Sequence, residues 1–473
     1  MSSWQFNMTP LDVPKVNTKY RRIQTKIPVP ESLELFQRLQ RVESRSMHGQ
    51  MPVVWDRAEG FQIYDPYGNC WIDFTSTIFV TNTGHANPSV IAAIQKQLNQ
   101  KLLHSYTFAH QIRIEFLEYL IKMLPSYFQK AFLLSSGTEA TECALKLMRM
   151  HGQRIRKSKL GIISFSGAMH GRTLGAEMMR GMPEQSSWIG YRDPHMYHLS
   201  FPYPWSQRQP SKENYDWAKH FEEDMAQLKS QGVNFDDIAG IMVESYVGWG
   251  AIFYPTDYIQ VLCRFAQKHN VLVAFDDIQG GFGRTGKLLA YQHYAVEPDL
   301  VCLGKGLSGC LPLSAVVGKE EIMDLPQVGS MSSTHSANPL CCAVGLANLK
   351  AMDELNLVQE SERKGKILQE FLNQLKEQYP EHISYVFGKG LVAAILFKDP
   401  RTNKPDASFP SQVCELCMQK GLLLVHTGRE SIKIGPPLII TDEAFKEGLG
   451  VLAESIAEMV EKVEKKERMG IAL

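Results

Sequence analysis

Three stretches of the sequence carry side chains able to do chemistry. Val271-Leu-Val-Ala-Phe-Asp276-Asp277-Ile-Gln279-Gly-Gly-Phe-Gly-Arg-Thr-Gly286-Lys287 runs through five apolar residues into two carboxylates and then into glycine. Cys302-Leu-Gly304-Lys305-Gly306-Leu-Ser-Gly-Cys310 follows another apolar run and sets a lysine between glycines. Ser135-Ser136-Gly137-Thr138-Glu139 follows Ala131-Phe-Leu-Leu134 and opens a helical pattern. A continuous apolar run reads as a strand buried on both faces, and open α/β sheets bind ligands beyond the carboxyl ends of such strands. A carboxylate there costs burial energy unless it holds something cationic. A lysine there loses hydration, and its amine becomes a nucleophile toward carbonyl carbon. A strand-to-helix junction with glycine and hydroxyls suits a phosphate, which the exposed amides and the helix dipole attract. Each feature also has a plainer reading: a solvated lysine, a structural carboxylate, a serine helix cap. No histidine accompanies Asp276 in its own stretch, so a metal is the weaker assignment.

One cofactor uses all three parts at once. Pyridoxal 5′-phosphate (PLP) takes a lysine at its aldehyde carbon, a carboxylate on its pyridinium nitrogen and a cradle for its phosphate. The carboxylate keeps the ring protonated, so that it can accept carbanion density. Of the other titratable groups, His85 lies beside the turn glycine Gly84 and reads as a residue bonding backbone.

The elements that must position these groups follow from pattern. Between about residue 110 and residue 330, helices alternate with short apolar strands at 131–134, 162–165, 238–243, 271–275, 300–303 and 313–317. That alternation predicts an α/β fold with a mostly parallel sheet. Residues 1–75 read as a polar, proline-punctuated segment with a helix near Glu31–Glu43 and short strands, and residues 76–330 as the large domain. Residues 331–473 read as a smaller α+β domain ending in an amphipathic helix. Lysine and arginine total 50 against 50 aspartates and glutamates, which leaves no nucleic-acid footprint. No apolar run reaches the ~20 residues a bilayer crossing requires. The opening Met1-Ser-Ser-Trp-Gln-Phe lacks a secretion signal, and the expected location is the cytoplasm. The nine cysteines are scattered, and Cys414-x-x-Cys417 reads as packing thiols.

Five motifs in order are similar to those of the class III aminotransferases, the ornithine, 4-aminobutyrate and ω-amino-acid group of fold-type I PLP enzymes. They are Ser136-Gly-Thr-Glu139-Ala-Thr-Glu142, His170-Gly-Arg-Thr173, Phe275-Asp276-Asp277-Ile-Gln279-Gly-Gly-Phe-Gly283-Arg-Thr-Gly286, Gly304-Lys305-Gly-Leu-Ser-Gly-Cys-Leu-Pro312-Leu and Ser333-Thr334-His-Ser-Ala-Asn338-Pro339-Leu340. The resemblance implies a large domain with a seven-stranded, mostly parallel sheet and a smaller domain formed by the C-terminal part and the N-terminal segment. It implies ping-pong transfer of an amino group from an amine donor to a carbonyl acceptor, through an aldimine and pyridoxamine phosphate. Lys305 would bind the cofactor and shuttle the proton, Asp276 would pair with the pyridine nitrogen, and Gln279 would reach the phenolic oxygen. Gly137 and Thr138 would hold the phosphate, joined by Thr334 of the partner subunit, so at least a homodimer is implied. Met169, His170 and Glu244 fall beside the cofactor, whereas Arg172 and Arg284 are structural.

Departures from the family pattern bear on the substrate. Met169 stands where Phe or Tyr usually stacks on the ring, and a thioether packs there without an aromatic face. Asp277 replaces the usual glutamate of the Asp-Glu pair, a small change. Trp249 stands where glutamate-using members often carry a glutamate, and Lys433 where they carry an arginine. Both halves of that dual-substrate switch are missing, and with them a bidentate carboxylate clamp. Trp249, Lys433, Arg429 and Phe79 are the substrate-side candidates, and the expected substrate is an amine, an ω-amino acid or a bulky metabolite amine. The competing readings are a racemase or epimerase of the same family and a non-catalytic PLP-fold binding protein.

Overall fold

The computed structural model describes residues 4–201 and 215–468. Residues 1–3 of the opening hexapeptide and 469–473 of the expected third segment lie outside that range. Two compact units are present. One takes the chain up to Asn87, Trp249–Ala251 and the chain from Gln359, and the other takes Pro88–Gly248 and Ile252–Val358.

The second unit is built on seven strands: β1 (Lys130–Leu134), β2 (Gly161–Phe165), β3 (Met196–Leu199), β4 (Ile238–Glu244), β5 (Leu272–Asp276), β6 (Leu300–Leu303) and β7 (Ser314–Gly318). Their order across the sheet is β1-β7-β6-β5-β4-β2-β3. Pairing is parallel from β6 through β3, and β7 runs against both its neighbours. The reversal has a simple cause. Only residues 304–313 join β6 to β7, which is too short for the crossover a parallel return demands. Strand β3 is absent from the sequence expectation, because Met-Tyr-His-Leu has no apolar run and lies at the sheet edge, half-buried.

Helices α1 (Pro88–Gln100), α2 (Gln111–Met123), α3 (Gly137–Ile155), α4 (Thr256–Lys268) and α5 (Pro339–Glu354) belong to this unit. Helix α3 lays Ala140, Ala144, Leu147 and Met148 on the sheet, against Ala239, Met242, Ala274 and Leu300. Burying Leu147 and Met148 contributes on the order of 2 kcal/mol each. Helix α5 packs against α1 and α2. That contact carries the unit's border to 358/359, where the sequence pattern placed it at 330/331.

The first unit holds a six-stranded sheet in which Leu422–Leu423 pairs in parallel with Cys70–Asp73. It also holds a four-stranded antiparallel sheet formed by Ile383–Lys389, Val392–Phe397, Ser431–Ile434 and Val425–His426. His85 bonds a carboxylate with its side chain where backbone was expected: its Nε2 lies 2.8 Å from Asp73 Oδ2, and both side chains are buried. All nine cysteines are free. Cys414 and Cys417 are buried, and burial pushes the Cys417 thiol up to about 12. Among the described residues no helix is long and apolar enough to cross a membrane.

Candidate active site

Strand register gathers the charged groups of the second unit. Glu244, the last residue of β4, is the register partner of Asp276, the last of β5, and Asp276 in turn pairs with Cys302 of β6. Lys305 follows three residues later. Asp276 Oδ2 lies 2.9 Å from His170 Nδ1, and Asp276 Oδ1 accepts the Ile278 amide at 3.2 Å. His170 is fixed from behind, since its carbonyl accepts Thr141 Oγ1 at 2.7 Å. Its Nε2 is buried with no hydrogen-bond partner among the described residues.

Glu244 Oε1 accepts the Gly248 amide at 3.1 Å, while Oε2 is buried and without a hydrogen-bond partner among the described residues. Burial pushes this carboxyl up to about 7, and the charge of Asp276 adds to the rise. His170 and the amides of Gly248 and Met169 oppose it. The ordinary value is 4.5. Between the two values the unfolded chain sheds this proton and the folded chain keeps it, so stability falls as pH rises through that window. Glu244→Gln cannot ionise. It is expected to raise the Tm of the cofactor-free protein more at about pH 8 than at about pH 5. Equal shifts at both pH values would contradict this.

Lys305 sits at φ +44°, in the left-handed region, with Gly304 and Gly306 on either side. A non-glycine residue pays on the order of 1 kcal/mol there. The turn it opens is held by the buried Asn348, whose Nδ2 donates to Gly306 O at 2.8 Å and Leu307 O at 3.2 Å. The sequence reading missed Asn348. The signal available was a lone amide inside the otherwise apolar stretch Pro339–Leu349. Burial lowers the Lys305 amine's pKa, and the charges of Asp276 and Glu244 resist that fall.

The start of α3 presents two free amides. Ser136 caps it with a capping box: Glu139 Oε2 accepts the amides of Ser135 at 3.0 Å and Ser136 at 2.7 Å, and Ser136 Oγ accepts the Glu139 amide. Among the described residues, no acceptor meets the amides of Gly137 and Thr138. They stand at the head of a 19-residue helix whose dipole favours an anion. Free amides, a half-buried lysine and a buried carboxylate at strand ends of one sheet fit what PLP requires.

The remaining cofactor-side candidates are less enclosed. Met169 is 43% exposed. Gln279 lies beside Gly248, where an added β-carbon would come within 3.2 Å of its Nε2. Thr334 is exposed, its carbonyl is 3.0 Å from His104 Nε2, and no described residue of its own chain bonds its hydroxyl. Arg284 is fully buried, and Arg172 pairs with Glu177 at 3.2 Å.

In the first unit, the Arg429 guanidinium lies 3.7 Å from the centroid of the Trp249 ring. Ser431 Oγ donates to Trp249 O at 3.0 Å and fixes that residue's backbone. Lys433 is buried, with its Nζ 4.2 Å from the centre of the Phe79 ring. Phe79 ends a run of four non-glycine residues with positive φ, Ser76–Phe79 at +44°, +51°, +62° and +68°. Such backbone is costly for Ile78 and Thr77, which are β-branched. The run is held by Ser76 Oγ, which donates to Gly435 O at 2.6 Å, and by the Val80 amide on Ser76 O at 2.8 Å.

A half-buried lysine, a carboxylate paired with histidine and two free helix-start amides thus lie at strand ends of this sheet. The family model described as "Aminotransferase class-III" matches residues 44–456, and the chain belongs to that family. It is 32% identical to the 4-aminobutyrate aminotransferase of Escherichia coli, over 90% of this chain and 98% of that one. It is 33% identical to the acetylornithine aminotransferase of Clostridium acetobutylicum, over 86% of this chain and 97% of that one. A crystal structure of the ornithine aminotransferase of Toxoplasma gondii, described with partial occupancy of PLP at its active site, superposes with a TM-score of 0.78. It shares 26% identity and covers 92% of this chain and 96% of its own. The protein is a PLP-dependent aminotransferase of fold type I.

Proposed function

We propose that the enzyme takes the amino group from an amine or ω-amino donor and passes it to a carbonyl acceptor in a ping-pong cycle. Lys305 is the catalytic residue. Bound PLP supplies the electron sink for the carbanion that transamination requires. Lys305 would move the proton at the substrate carbon: burial lowers its amine's pKa, so that it releases the proton, and the charges of Asp276 and Glu244 keep it basic enough to take one. Asp276 would receive the ring N–H, with His170 holding the carboxylate in orientation. Gln279 would donate to the phenolic oxygen and Met169 would pack on the ring, and Glu244 lines the same row as Asp276. The amides of Gly137 and Thr138 would hold the phosphate together with Thr334 of the partner subunit, which makes the working unit a homodimer or a higher homo-oligomer.

The observation that carries the donor class is the pairing of Arg429 with Trp249 at 3.7 Å, alongside a buried Lys433. No carboxylate stands at position 249 to neutralise a cation while a second substrate binds, and a lysine replaces the bidentate arginine. Trp249 makes a large apolar wall, and the arginine stacked on it still has guanidinium donors to offer an ω-carboxylate. A panel of amino donors, followed by the cofactor's own absorbance, tests the assignment. Amines and ω-amino acids are expected to discharge the cofactor fast and glutamate slowly, and rapid discharge by glutamate alone would sink it. Arg429→Ala is expected to raise KM for ω-amino acids roughly tenfold or more, the worth of one charge-assisted hydrogen bond, and to leave plain amines unchanged.

A further inference from the structure

The Thr138 hydroxyl has one proton, and its neighbours decide where that proton goes. Thr138 Oγ1 lies 2.7 Å from Thr173 Oγ1. Thr173 Oγ1 lies 2.6 Å from Glu142 Oε1. A carboxylate only accepts, so Thr173 spends its proton on Glu142. The proton between the two threonines therefore comes from Thr138, and Thr138 Oγ1 accepts the Thr173 amide at 3.4 Å. Glu142 Oε1 also accepts the amides of Gly175 at 2.8 Å and Ala176 at 3.1 Å, in the first turn of Leu174–Met178. Gly171, at φ +143°, permits this approach, because a side chain there would strike Thr138 Oγ1.

We propose that Thr138, Thr173 and Glu142 form a fixed hydroxyl relay that docks the 169–173 loop, and with it His170, on the start of α3. The cofactor phosphate is then held in this chain by the amides of Gly137 and Thr138, not by the Thr138 hydroxyl. The inference rests on that helix start being the phosphate cradle. It makes Thr173 and Glu142 positioning residues for His170 and, through the 2.9 Å contact, for Asp276. A relay ending on a charge is short and strong. Turning Thr138 toward a phosphate would strip Thr173 of its donor, whereas the two amides have no other acceptor among the described residues and are already aimed.

Absorbance titration of PLP and of pyridoxal, which lacks the phosphate, separates the two assignments, because the ratio of their Kd values reports the phosphate alone. In Thr138→Val the ratio is expected to stay within about threefold of wild type. A hydroxyl bonded to the phosphate would change it by tenfold or more. Thr173→Val is expected to leave the ratio in place and to shift the pH midpoint of the bound cofactor's absorbance, as the His170–Asp276 contact loosens. Thr173→Ser should restore that midpoint. A tenfold loss of the ratio in Thr138→Val, recovered by Thr138→Ser, overturns the inference, as does a Thr173→Val midpoint equal to wild type. A wild-type ratio near one sinks the phosphate cradle itself, and the relay's consequence with it. Should Thr138→Val not fold, Thr138→Ala makes the same comparison.

Discussion

Replacing Lys305 by alanine is expected to lower turnover by roughly 10⁴-fold, the upper range for a positioned acid–base group. The loss has two sources. The variant cannot hold PLP covalently, and no other group in the row Glu244–Asp276 replaces its proton transfer. Asp276 is committed to His170 at 2.9 Å. Glu244 sits at the end of the neighbouring strand with one oxygen held by the Gly248 amide, and it cannot form the covalent link to the cofactor. The two sources separate experimentally. Reduction with borohydride should link PLP to the wild-type chain and leave the variant unlabelled. A small added amine should restore part of the turnover by carrying the proton in place of Lys305. Full activity in Lys305→Ala, or borohydride labelling at another lysine, would overturn the assignment. Lys305→Arg is no substitute, because a guanidinium does not deprotonate in this pH range.

Much of the second unit was readable because its chemistry sits where strong patterns end. The run Val271–Phe275 stops at Asp276, and Leu300–Leu303 stops at Gly304-Lys305, so each charged group marks its own strand end. What escaped depends on partners far away in the chain. Strand β3 has no apolar signature of its own and exists because β2 offers it an edge. The reversal of β7 is encoded only by the shortness of the segment before it. Asn348 holds the Lys305 turn across about forty residues, and Arg429 stacks on Trp249 across about 180, distances at which no local periodicity operates. Thr138 shows the same limit in a subtler form. Residue type and place both suit a phosphate, yet the destination of its proton depends on Thr173, 35 residues away, which only the fold brings within reach.

Asp276→Ala is expected to lower kcat by roughly 10²–10³-fold, the usual cost of losing one pre-aimed charge from a site. The carboxylate is largely buried at the end of β5, and its remaining oxygen is used by the Ile278 amide, so its charge is directed and little screened. Removing it leaves the ring nitrogen without an anion and His170 Nδ1 without its acceptor. Cofactor retention should fall much less, since Lys305 and the amides of Gly137 and Thr138 are untouched. The expected signature is therefore a large loss in kcat with a small change in cofactor Kd. A cofactor methylated on its ring nitrogen carries the positive charge permanently, and alanine leaves space for the methyl group. That analogue is expected to recover a substantial part of the turnover in Asp276→Ala. It should recover none in Lys305→Ala, where the missing function is proton transfer at the substrate carbon. Recovery in both variants, or in neither, would show that Asp276 acts by something other than holding charge at the ring nitrogen.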